Sequence, residues 1–360
     1  MTDYQILTTI DTTTLITAGK MRSDCGDIRF TDTDGSTLLS YWIESDCNTV
    51  STKIWVKIPS IPVGTNTIYI YYNNPTATYD NLVGGTNTFM FFDDFLGSSM
   101  DTSKWQRISS GGSTTVSNSI LDMWTTTSAY ETWIAYNKYP VNSSAIVRFK
   151  ISTDASTGAG VGLSSDGTSS YAVWEMWAGK TWSIWNSPNQ PTITRTADYS
   201  SYHTARINRV GTTSVDFYTD GVYDGNISTY IPSSSFGGYL YITSRTNNVH
   251  LYVDWFAIAK YASPEPTSSI SVTEELGITA IDMILNTNTC VGSCQIIAGV
   301  TWQNLGSSNV TFTPAILIDG TTIAYATSNI TIGPSPATGS STITTPTLLA
   351  GTHTICPYPN

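Results

Sequence analysis

The most constraining feature of this sequence is a succession of short segments rich in Val, Ile, Tyr and Trp. Gly, Asn, Asp or Pro bounds each one, as in TKIWVKIPSI, NTIYIYYNN, SAIVRFKIS, TSVDFYTDG, GYLYITS and VHLYVDWFAIA. Runs of this length, with these residue types and boundaries, are typical of β-strands. No segment repeats its apolar residues with the 3.6-residue period of an amphipathic helix. The sequence therefore predicts an all-β fold built from β-sandwiches.

The surface implied by the composition is polar but weakly charged. Only 12% of the 360 residues are charged, and the net charge is −11. Nucleic acid and anionic membranes are therefore not expected as partners, because they carry the same sign of charge. No stretch reaches the ~18 apolar residues of a membrane span. The first twenty residues lack a secretory signal pattern, so any export signal is expected to lie outside this sequence.

Changes in composition divide the chain into three predicted modules. The first, 1–86, ends in the turn-rich run NNPTATYDNLVGGTN, and the second, 87–262, runs from FMFFDDF to DWFAIAKYA. A linker rich in Pro, Ser and Thr, 263–275, precedes a third module of alternating strands, 276–360. Each module is expected to be a β-sandwich.

The first module contains the runs DIRF, IWVKIP and YYNN and is followed by FFDDF. With these runs it resembles a family of unassigned function found in secreted and surface proteins of archaea and bacteria. Members of that family usually begin with one more strand than this chain has. The resemblance therefore implies a partial sandwich with an unpaired strand edge. Either the start is truncated, or a neighbouring subunit donates the strand and so builds a filament.

Two further resemblances concern the rest of the chain. The runs FDDF, DTSKW, VDFYTDGVYDG and YVDWFAIAK make the second module similar to the concanavalin A-like jelly rolls of laminin-G domains, lectins and glucanases. The runs VTWQNLGSSNVTFTPAILIDG and LLAGTHTIC make the third similar to immunoglobulin-like adhesion domains of surface proteins. The jelly roll hosts lectins, hydrolases and inert spacers alike, so the fold does not choose a function.

These resemblances give the five cysteines an interpretation. Cys25 and Cys47 are expected to pair within the first module. The spacing of Cys294 and Cys356 is that of the disulfide that joins the two sheets of an immunoglobulin-like domain. Cys290 is then left over, or it replaces Cys294 as the partner.

Disulfides are typical of exported proteins, and so are N-x-S/T sequons. The sequence has four such sequons, at Asn142, Asn226, Asn309 and Asn329. We therefore expect an extracellular or cell-surface protein that carries glycans.

The segment YAVWEMWAGKTWSIW, residues 171–185, contains most of the candidate chemistry. A turn at Gly179-Lys180 would pair Trp177 with Trp182 across a hairpin. Because side chains alternate along a strand, one face would be a nearly apolar core surface. The other face would be a carbohydrate-binding platform. Its residues would be Tyr171, Glu175, Trp177 and Trp182, with Trp133 or Arg206 as further contributors. The alternative is that the rings on both faces are buried between sheets.

A glycoside hydrolase requires two carboxylates that flank the scissile bond, about 5–10 Å apart. The residues that start at Glu175 do not match the E-x-D-x-E motif of the jelly-roll glucanases. Glu131 is the other glutamate of the module and could reach across, with Asp122 as a further candidate. A hydrolase that uses Glu175 and Glu131 is therefore the third hypothesis. A non-catalytic structural or adhesive surface protein comes first, and a carbohydrate-binding module second.

Three aspartates form a predicted calcium site. In related jelly-roll carbohydrate modules, an acidic residue near the first strand and an aspartate in the last strand hold a structural calcium ion. The resemblance therefore implies Asp93, Asp94 and Asp254 as ligands, with backbone carbonyl groups completing the shell of oxygens. The alternative is that these aspartates cap turns or pair with Lys104 or Arg107.

Overall fold

The computed structural model describes residues 1–44, 46–74, 76–78, 83–125, 129–152, 158–176, 180–186, 188–195, 199–243, 249–270, 278–286, 293–304, 309–334, 336–349 and 352–358. Nearly all regular structure in these ranges is strand, so the all-β prediction is confirmed. The helices found there are short, α1 at Thr12–Thr17 and α2 at Gly85–Thr88. None of the described helices is long and apolar enough to cross a membrane.

The chain divides into two compact units, 1–13 with 24–71 and 76–269, and 14–23 with 72–75 and 270–360. The predicted module limit at residue 86 falls inside the first unit. The division of the chain into three modules stays a prediction.

The first unit begins with a small sandwich, called here the N-terminal sandwich. Its strands are β1 (Thr2–Ile10), β2 (Arg29–Thr31), β3 (Leu38–Leu39), β4 (Tyr41–Ile43), β5 (Thr52–Ser60) and β6 (Tyr69–Tyr71). They form two antiparallel sheets, β1-β5-β4 and β3-β2-β6. Phe30 of β2 and Tyr41 of β4 meet with their ring centroids 5.3 Å apart. The Tyr41 hydroxyl donates to the carbonyl oxygen of Ile28 at 2.6 Å, which satisfies a buried polar group.

The rest of the first unit is a jelly roll. Its strands are β7 (Phe91–Asp93), β8 (Trp105–Ser110), β9 (Ser113–Ser117), β10 (Ile120–Thr125), β11 (Tyr130–Ala135), β12 (Ser143–Ile151), β13 (Gly158–Ser164), β14 (Ser170–Met176), β15 (Lys180–Asn186), β16 (Thr192–Arg195), β17 (His203–Val210), β18 (Ser214–Thr219), β19 (Val222–Ile227), β20 (Gly237–Thr243) and β21 (Val249–Lys260). One sheet, the cavity sheet, has the order β16-β15-β14-β13-β20-β11-β8. The other, the rear sheet, has the order β19-β18-β17-β12-β21-β10-β9, with β7 paired to β21.

The core of the jelly roll lies between these two sheets and is built from aromatic rings. Trp174 of the cavity sheet lies 4.7 Å from Phe149 of the rear sheet, measured between ring centroids. Trp182 stacks on Phe217 of the rear sheet at 4.9 Å. Both tryptophans have no exposed surface. Burying such large apolar side chains is the main favourable term in the stability of a sandwich.

The FFDDF run joins the N-terminal sandwich to the jelly roll, because its side chains alternate between two clusters. Phe91 enters the jelly-roll core and contacts Trp105 with ring centroids 5.2 Å apart. Phe92 points the other way and lies 4.8 Å from Trp42 of the N-terminal sandwich. Trp42 in turn lies 5.0 Å from Trp255 of the rear sheet. The FFDDF run therefore connects the N-terminal sandwich to the jelly roll through contacts on both of its faces.

β1 lies at one edge of its three-stranded sheet, where a donated strand could pair. Side chains from the end of the jelly roll reach β1 within the same chain. The Ser268 hydroxyl donates to the carbonyl oxygen of Leu7 at 2.8 Å, and the Lys260 ammonium donates to that of Thr2 at 2.7 Å. The Gln5 side chain accepts from the Lys260 backbone amide at 2.9 Å. Self-association through this edge stays a prediction.

A disulfide joins Cys25 to Cys47 in the N-terminal sandwich, as predicted. The two residues are separated by 22 positions, so the bridge closes a loop of moderate length. In the chain-entropy model such a bridge stabilises the folded state by about 3 kcal/mol.

Replacing both cysteines with serine is therefore expected to lower the free energy of unfolding by about 3 kcal/mol. Urea unfolding of the double variant, followed by tryptophan fluorescence, measures this loss. Cys356→Ser is the matched control, because Cys356 is a free and exposed cysteine. A double variant as stable as this control would contradict the prediction.

The second unit contains the strands β22 (Ile278–Leu285), β23 (Ile297–Asn304), β24 (Val310–Phe312), β25 (Ala315–Ile318), β26 (Thr322–Tyr325), β27 (Ile330–Ile332), β28 (Thr338–Thr344) and β29 (Ile355–Tyr358). Their sheets have the orders β22-β23-β28, β24-β27 and β26-β25-β29. Trp302 and Phe312 meet in the core of this unit with ring centroids 5.3 Å apart. The immunoglobulin-like resemblance of this part stays a prediction.

The predicted bridge from Cys294 to Cys356 is wrong. Cys356 lies on β29 as a free, exposed cysteine, whereas Cys294 is disulfide-bonded. The reason is the alternation of side chains along β29. Ile355 packs against the core of the unit, and the next residue, Cys356, therefore points outwards. Cys290 lies outside the described residues.

Candidate functional site

The pairing of β14 with β15 decides which rings of the opening segment face outwards. In this hairpin Trp174 lies opposite Trp182, and Tyr171 lies opposite Trp185. The predicted register, with Trp177 opposite Trp182, would place Trp174 opposite Trp185, so it is wrong by three residues. A register shift by an odd number of residues moves every side chain of one strand to the other face. Trp182 therefore faces the core, and Trp185 faces outwards with Tyr171 and Glu175.

Trp182 is accordingly not part of a carbohydrate-binding platform. Its ring has no exposed surface, and its indole N–H donates to Oδ2 of Asp224 at 2.6 Å. Of the other predicted platform residues, Tyr171 and Glu175 lie on the outer face, and Trp177 lies outside the described residues.

The outer face of the cavity sheet carries a cavity of about 500 Å³. Strands β8, β11, β14, β15 and β20 and the turns beside them provide its walls. It is lined by Ile108, Ser109, Tyr130, Thr132, Gly167, Thr168, Tyr171, Glu175, Trp185, Gln190, Tyr239 and Tyr241. Aromatic rings with a few convergent polar groups are the usual lining of a small-ligand site.

A row of nearly parallel rings forms the aromatic wall of this cavity. Trp185 and Tyr171 stack with centroids 6.1 Å apart and an angle of 17° between their planes. Tyr171 and Tyr239 stack at 5.8 Å and 22°. Tyr241 lies beside Tyr239 at 5.3 Å, and the half-exposed Tyr130 lies beside Tyr241 at 6.3 Å.

Glu175 is the carboxylate of the cavity and is held by two neutral donors. The Gln190 side-chain amide donates to Oε1 at 2.6 Å, and the Tyr241 hydroxyl donates to Oε2 at 2.8 Å. The Glu175 residue is only 2% exposed, so its orientation is fixed by these partners and by the surrounding rings.

Gly160 makes the bond between Tyr241 and Glu175 possible. Gly160 pairs with Tyr241 on one side and with Glu175 on the other, so the three residues lie in a row across β20, β13 and β14. Tyr241 must therefore cross a neighbouring strand to reach Glu175, a span of about 10 Å between the outer two strands. A Cβ atom at position 160 would lie only 2.1 Å from Cε1 of the Tyr241 ring. The missing side chain of Gly160 is the space in which the Tyr241 ring lies.

The tyrosines of the cavity are held in the neutral form. Burial, followed by the nearby Glu175 carboxylate, raises the pKa of Tyr241 well above its usual value. Burial is also the main cause of the raised pKa of Tyr171 and of Tyr239. Their hydroxyl groups are therefore hydrogen-bond donors at neutral pH, and their rings remain uncharged.

Glu131 lies on the opposite face of the cavity sheet from Glu175. It pairs with Ile242, a residue of the jelly-roll core, whereas the adjacent Thr132 pairs with Tyr241 and lines the cavity. Glu131 therefore points between the two sheets. The predicted catalytic pair of Glu175 and Glu131 is wrong, since the sheet itself separates the two carboxylates.

The buried Glu131 has a structural set of partners instead. Arg107 donates to both oxygens, at 2.8 and 2.6 Å. Oε1 also accepts from the Thr114 hydroxyl at 2.8 Å and from the Trp133 indole N–H at 2.9 Å. Oε2 accepts from the Gly112 amide at 3.1 Å. The hydrogen bonds of Glu131 thus hold β8, β9 and β11 together.

The remaining sequence candidates lie away from the cavity. Trp133 belongs to the core and to the partners of Glu131. Arg206 lies on the rear sheet and pairs with Glu265. Asp122, also on the rear sheet, contacts Nδ1 of His250 at 2.7 Å.

The predicted calcium ligands mostly have other partners. Asp93 accepts from the Trp105 indole at 2.7 Å and from the Phe95 amide at 3.0 Å. Asp254 pairs with Arg148 at 2.9 Å, and burial raises the pKa of both Asp254 and Asp94. Among the described residues, no group of three acidic, His or Cys side chains could hold a metal ion. The structure adds no support to the calcium site, which stays a prediction.

The four sequon asparagines are exposed, which is the accessibility that glycosylation requires. They are Asn142, Asn226, Asn309 and Asn329. Their modification stays a prediction.

Sequence reasoning missed Trp185, Gln190, Tyr239 and Tyr241. The two tyrosines did leave a signal, because in GYLYITS they alternate with Leu240 and Ile242. An aromatic set on one face and an aliphatic set on the other indicates a strand with two different environments. Gln190 left none, since it follows β15 and reaches Glu175 only through the folded turn.

Residues 24–108 match a sequence family described as a domain of unknown function, DUF2341. This match supports the resemblance of the first module to a family without an assigned activity. No curated protein matches the chain by sequence.

Several solved structures are similar to about half of the chain. A structure from the endo-acting O-glycanases of the human gut microbiota has 13% identity and a TM-score of 0.42, and the likeness covers 48% of this chain and 100% of that one. A pseudo β-1,3-glucanase of Mycobacterium tuberculosis has 15% identity and a TM-score of 0.40, and the likeness covers 50% of this chain and 100% of that one. An endo-β-1,3-glucanase from Pyrococcus furiosus has 9% identity and a TM-score of 0.41, and the likeness covers 48% of this chain and 94% of that one. Likenesses this weak do not identify an activity.

Proposed function

We propose that this chain is a non-catalytic carbohydrate-binding protein whose ligand lies in the aromatic cavity. The observation that carries the proposal is the row of nearly parallel rings formed by Trp185, Tyr171 and Tyr239 beside a carboxylate. Pyranose rings have apolar faces that pack on aromatic rings and hydroxyl groups that bond to polar side chains. The cavity offers both kinds of contact.

The described lining of the cavity favours binding over hydrolysis. Among the described residues that line the cavity, Glu175 is the one acidic side chain. Both known geometries of glycoside hydrolysis use a pair of carboxyl groups on the two sides of the bond. Glu175 also accepts hydrogen bonds on both oxygens, which suits a group that orients a ligand.

We place this binding outside the cell, where it would give the chain an adhesive role at a glycan-bearing surface. The Cys25–Cys47 disulfide and the exposed sequon asparagines support that location.

Trp185→Ala is expected to weaken oligosaccharide binding about tenfold, because it removes one stacking surface of the row. A glycan array with the wild-type protein selects the oligosaccharide, and isothermal titration calorimetry measures both affinities. Trp124→Ala is the matched control, because Trp124 stacks on His250 on the rear sheet, away from the cavity.

A blank array at high protein concentration would overturn the proposal, and so would equal affinities of Trp185→Ala and wild type. Release of reducing sugar that disappears in Glu175→Gln would instead make the protein a hydrolase.

A further inference from the structure

We infer that the cavity selects glycans that carry a free amino group, with Glu175 as the specificity-determining residue. This inference rests on the proposed function and names the class of ligand for the same site.

The donors that hold the Glu175 carboxylate carry no positive charge. Both of its oxygens accept hydrogen bonds, but the donors Gln190 and Tyr241 are neutral. No Lys or Arg occurs among the described residues that line the cavity. A buried carboxylate without a cationic partner is costly, and each oxygen retains a lone pair for a further donor. An ammonium group on the ligand would supply both the charge and the donor.

Tyrosine rings line the same cavity as this carboxylate. Aromatic faces carry negative potential and attract an ammonium group that lies over them. Tyr171, Tyr239 and Tyr241 line the same cavity as Glu175, and their rings remain neutral and can attract a cation. A carboxylate set among tyrosine rings is therefore complementary to an alkylammonium group.

The length of the aromatic row indicates the size of the ligand. The rings of Trp185, Tyr171 and Tyr239 succeed one another at centroid spacings of 6.1 and 5.8 Å. A row of this length exceeds a single small ammonium ion and spans more than one sugar ring. An oligosaccharide of amino sugars matches both the row and the carboxylate.

The test compares three oligosaccharides of equal length: glucosamine, N-acetylglucosamine and glucose oligomers. Calorimetry is expected to show the glucosamine oligomer bound about tenfold more tightly than either neutral oligomer. Added salt should reduce that ratio, because it screens the attraction between the two charges. In Glu175→Gln the ratio should fall to about one.

Asp122→Asn is the matched control, because it removes one negative charge on the rear sheet and should keep the preference. Tyr241→Phe removes one donor to Glu175 and leaves the charge, so it should keep the preference as well. The salt dependence of the wild-type ratio keeps the test decisive if Glu175→Gln fails to fold, which circular dichroism would show.

The outcomes separate the inference from the proposed function. Equal binding of all three oligomers would overturn the inference and leave the proposed function standing. Binding of none would overturn the proposed function. A preference that survives Glu175→Gln, or that is lost in Asp122→Asn or Tyr241→Phe, would also overturn the inference. The same holds if choline binds as tightly as the glucosamine oligomer, because the cation would then be recognised without a sugar.

Discussion

Replacing Glu131 with alanine is expected to lower the free energy of unfolding by about 3 kcal/mol, with little effect on binding at the cavity. The Glu131 side chain has no exposed surface, and four residues donate to it. Its removal leaves the Gly112 amide, the Trp133 indole and the Arg107 guanidinium without this acceptor. The Arg107 side chain is 38% exposed and can turn to water, which keeps the cost below that of a fully enclosed charge.

Urea unfolding measures this cost, and Glu265→Ala provides the matched control. Glu265 also pairs with an arginine, Arg206, but its side chain is 33% exposed. Loss of such a pair costs about 0–1 kcal/mol. If Glu131→Ala is no less stable than Glu265→Ala, the hydrogen bonds of Glu131 do not hold β8, β9 and β11 together.

The same residue shows how far the sequence could predict the site. Two glutamates in one strand-rich module indicate a catalytic pair as readily as they indicate one binding residue and one structural residue. The correct interpretation depends on the face of the sheet that each glutamate side chain occupies. Sequence alternation fixes the faces within one strand but not between strands that are distant in the chain. Thr132, not Glu131, pairs with Tyr241, so Glu131 lies on the face opposite to the cavity. No local sequence pattern predicts this long-range pairing.

The hairpin of β14 and β15 shows the corresponding limit for register. Alternation correctly groups Tyr171 with Glu175 and sets Trp174 on the other face, because these residues share one strand. Trp182 and Trp185 are equally apolar and three positions apart, so the hydrophobic pattern fits either register. The indole of Trp182 has a buried acceptor in Asp224, more than forty residues later, and this long-range contact belongs to the observed register alone. The all-β class depended on local signals and was predictable, whereas the composition of the aromatic wall was not.

Gly160→Ala is expected to have the largest effect on the cavity itself. The added Cβ would lie 2.1 Å from Cε1 and 2.7 Å from Cζ of Tyr241, so the ring must leave its place across β13. Tyr241 is 4% exposed and packs against Tyr239, so its displaced ring has room only on the cavity side. The hydrogen bond to Glu175 is then lost, and the ring occupies space that the ligand requires.

We expect this variant to bind oligosaccharide at least tenfold more weakly and to lose about 1–3 kcal/mol of stability, the usual cost of overpacking. Calorimetry and urea unfolding measure the two effects. Gly299→Ala is the matched control, because a Cβ atom at that strand position has nothing nearer than 3.7 Å. Tyr241→Phe separates the causes, since it removes the hydrogen bond but leaves the ring in place, and it should bind more tightly than Gly160→Ala. If Gly160→Ala binds as wild type does, the Tyr241 ring does not border the ligand, and the binding surface must lie nearer to Trp185.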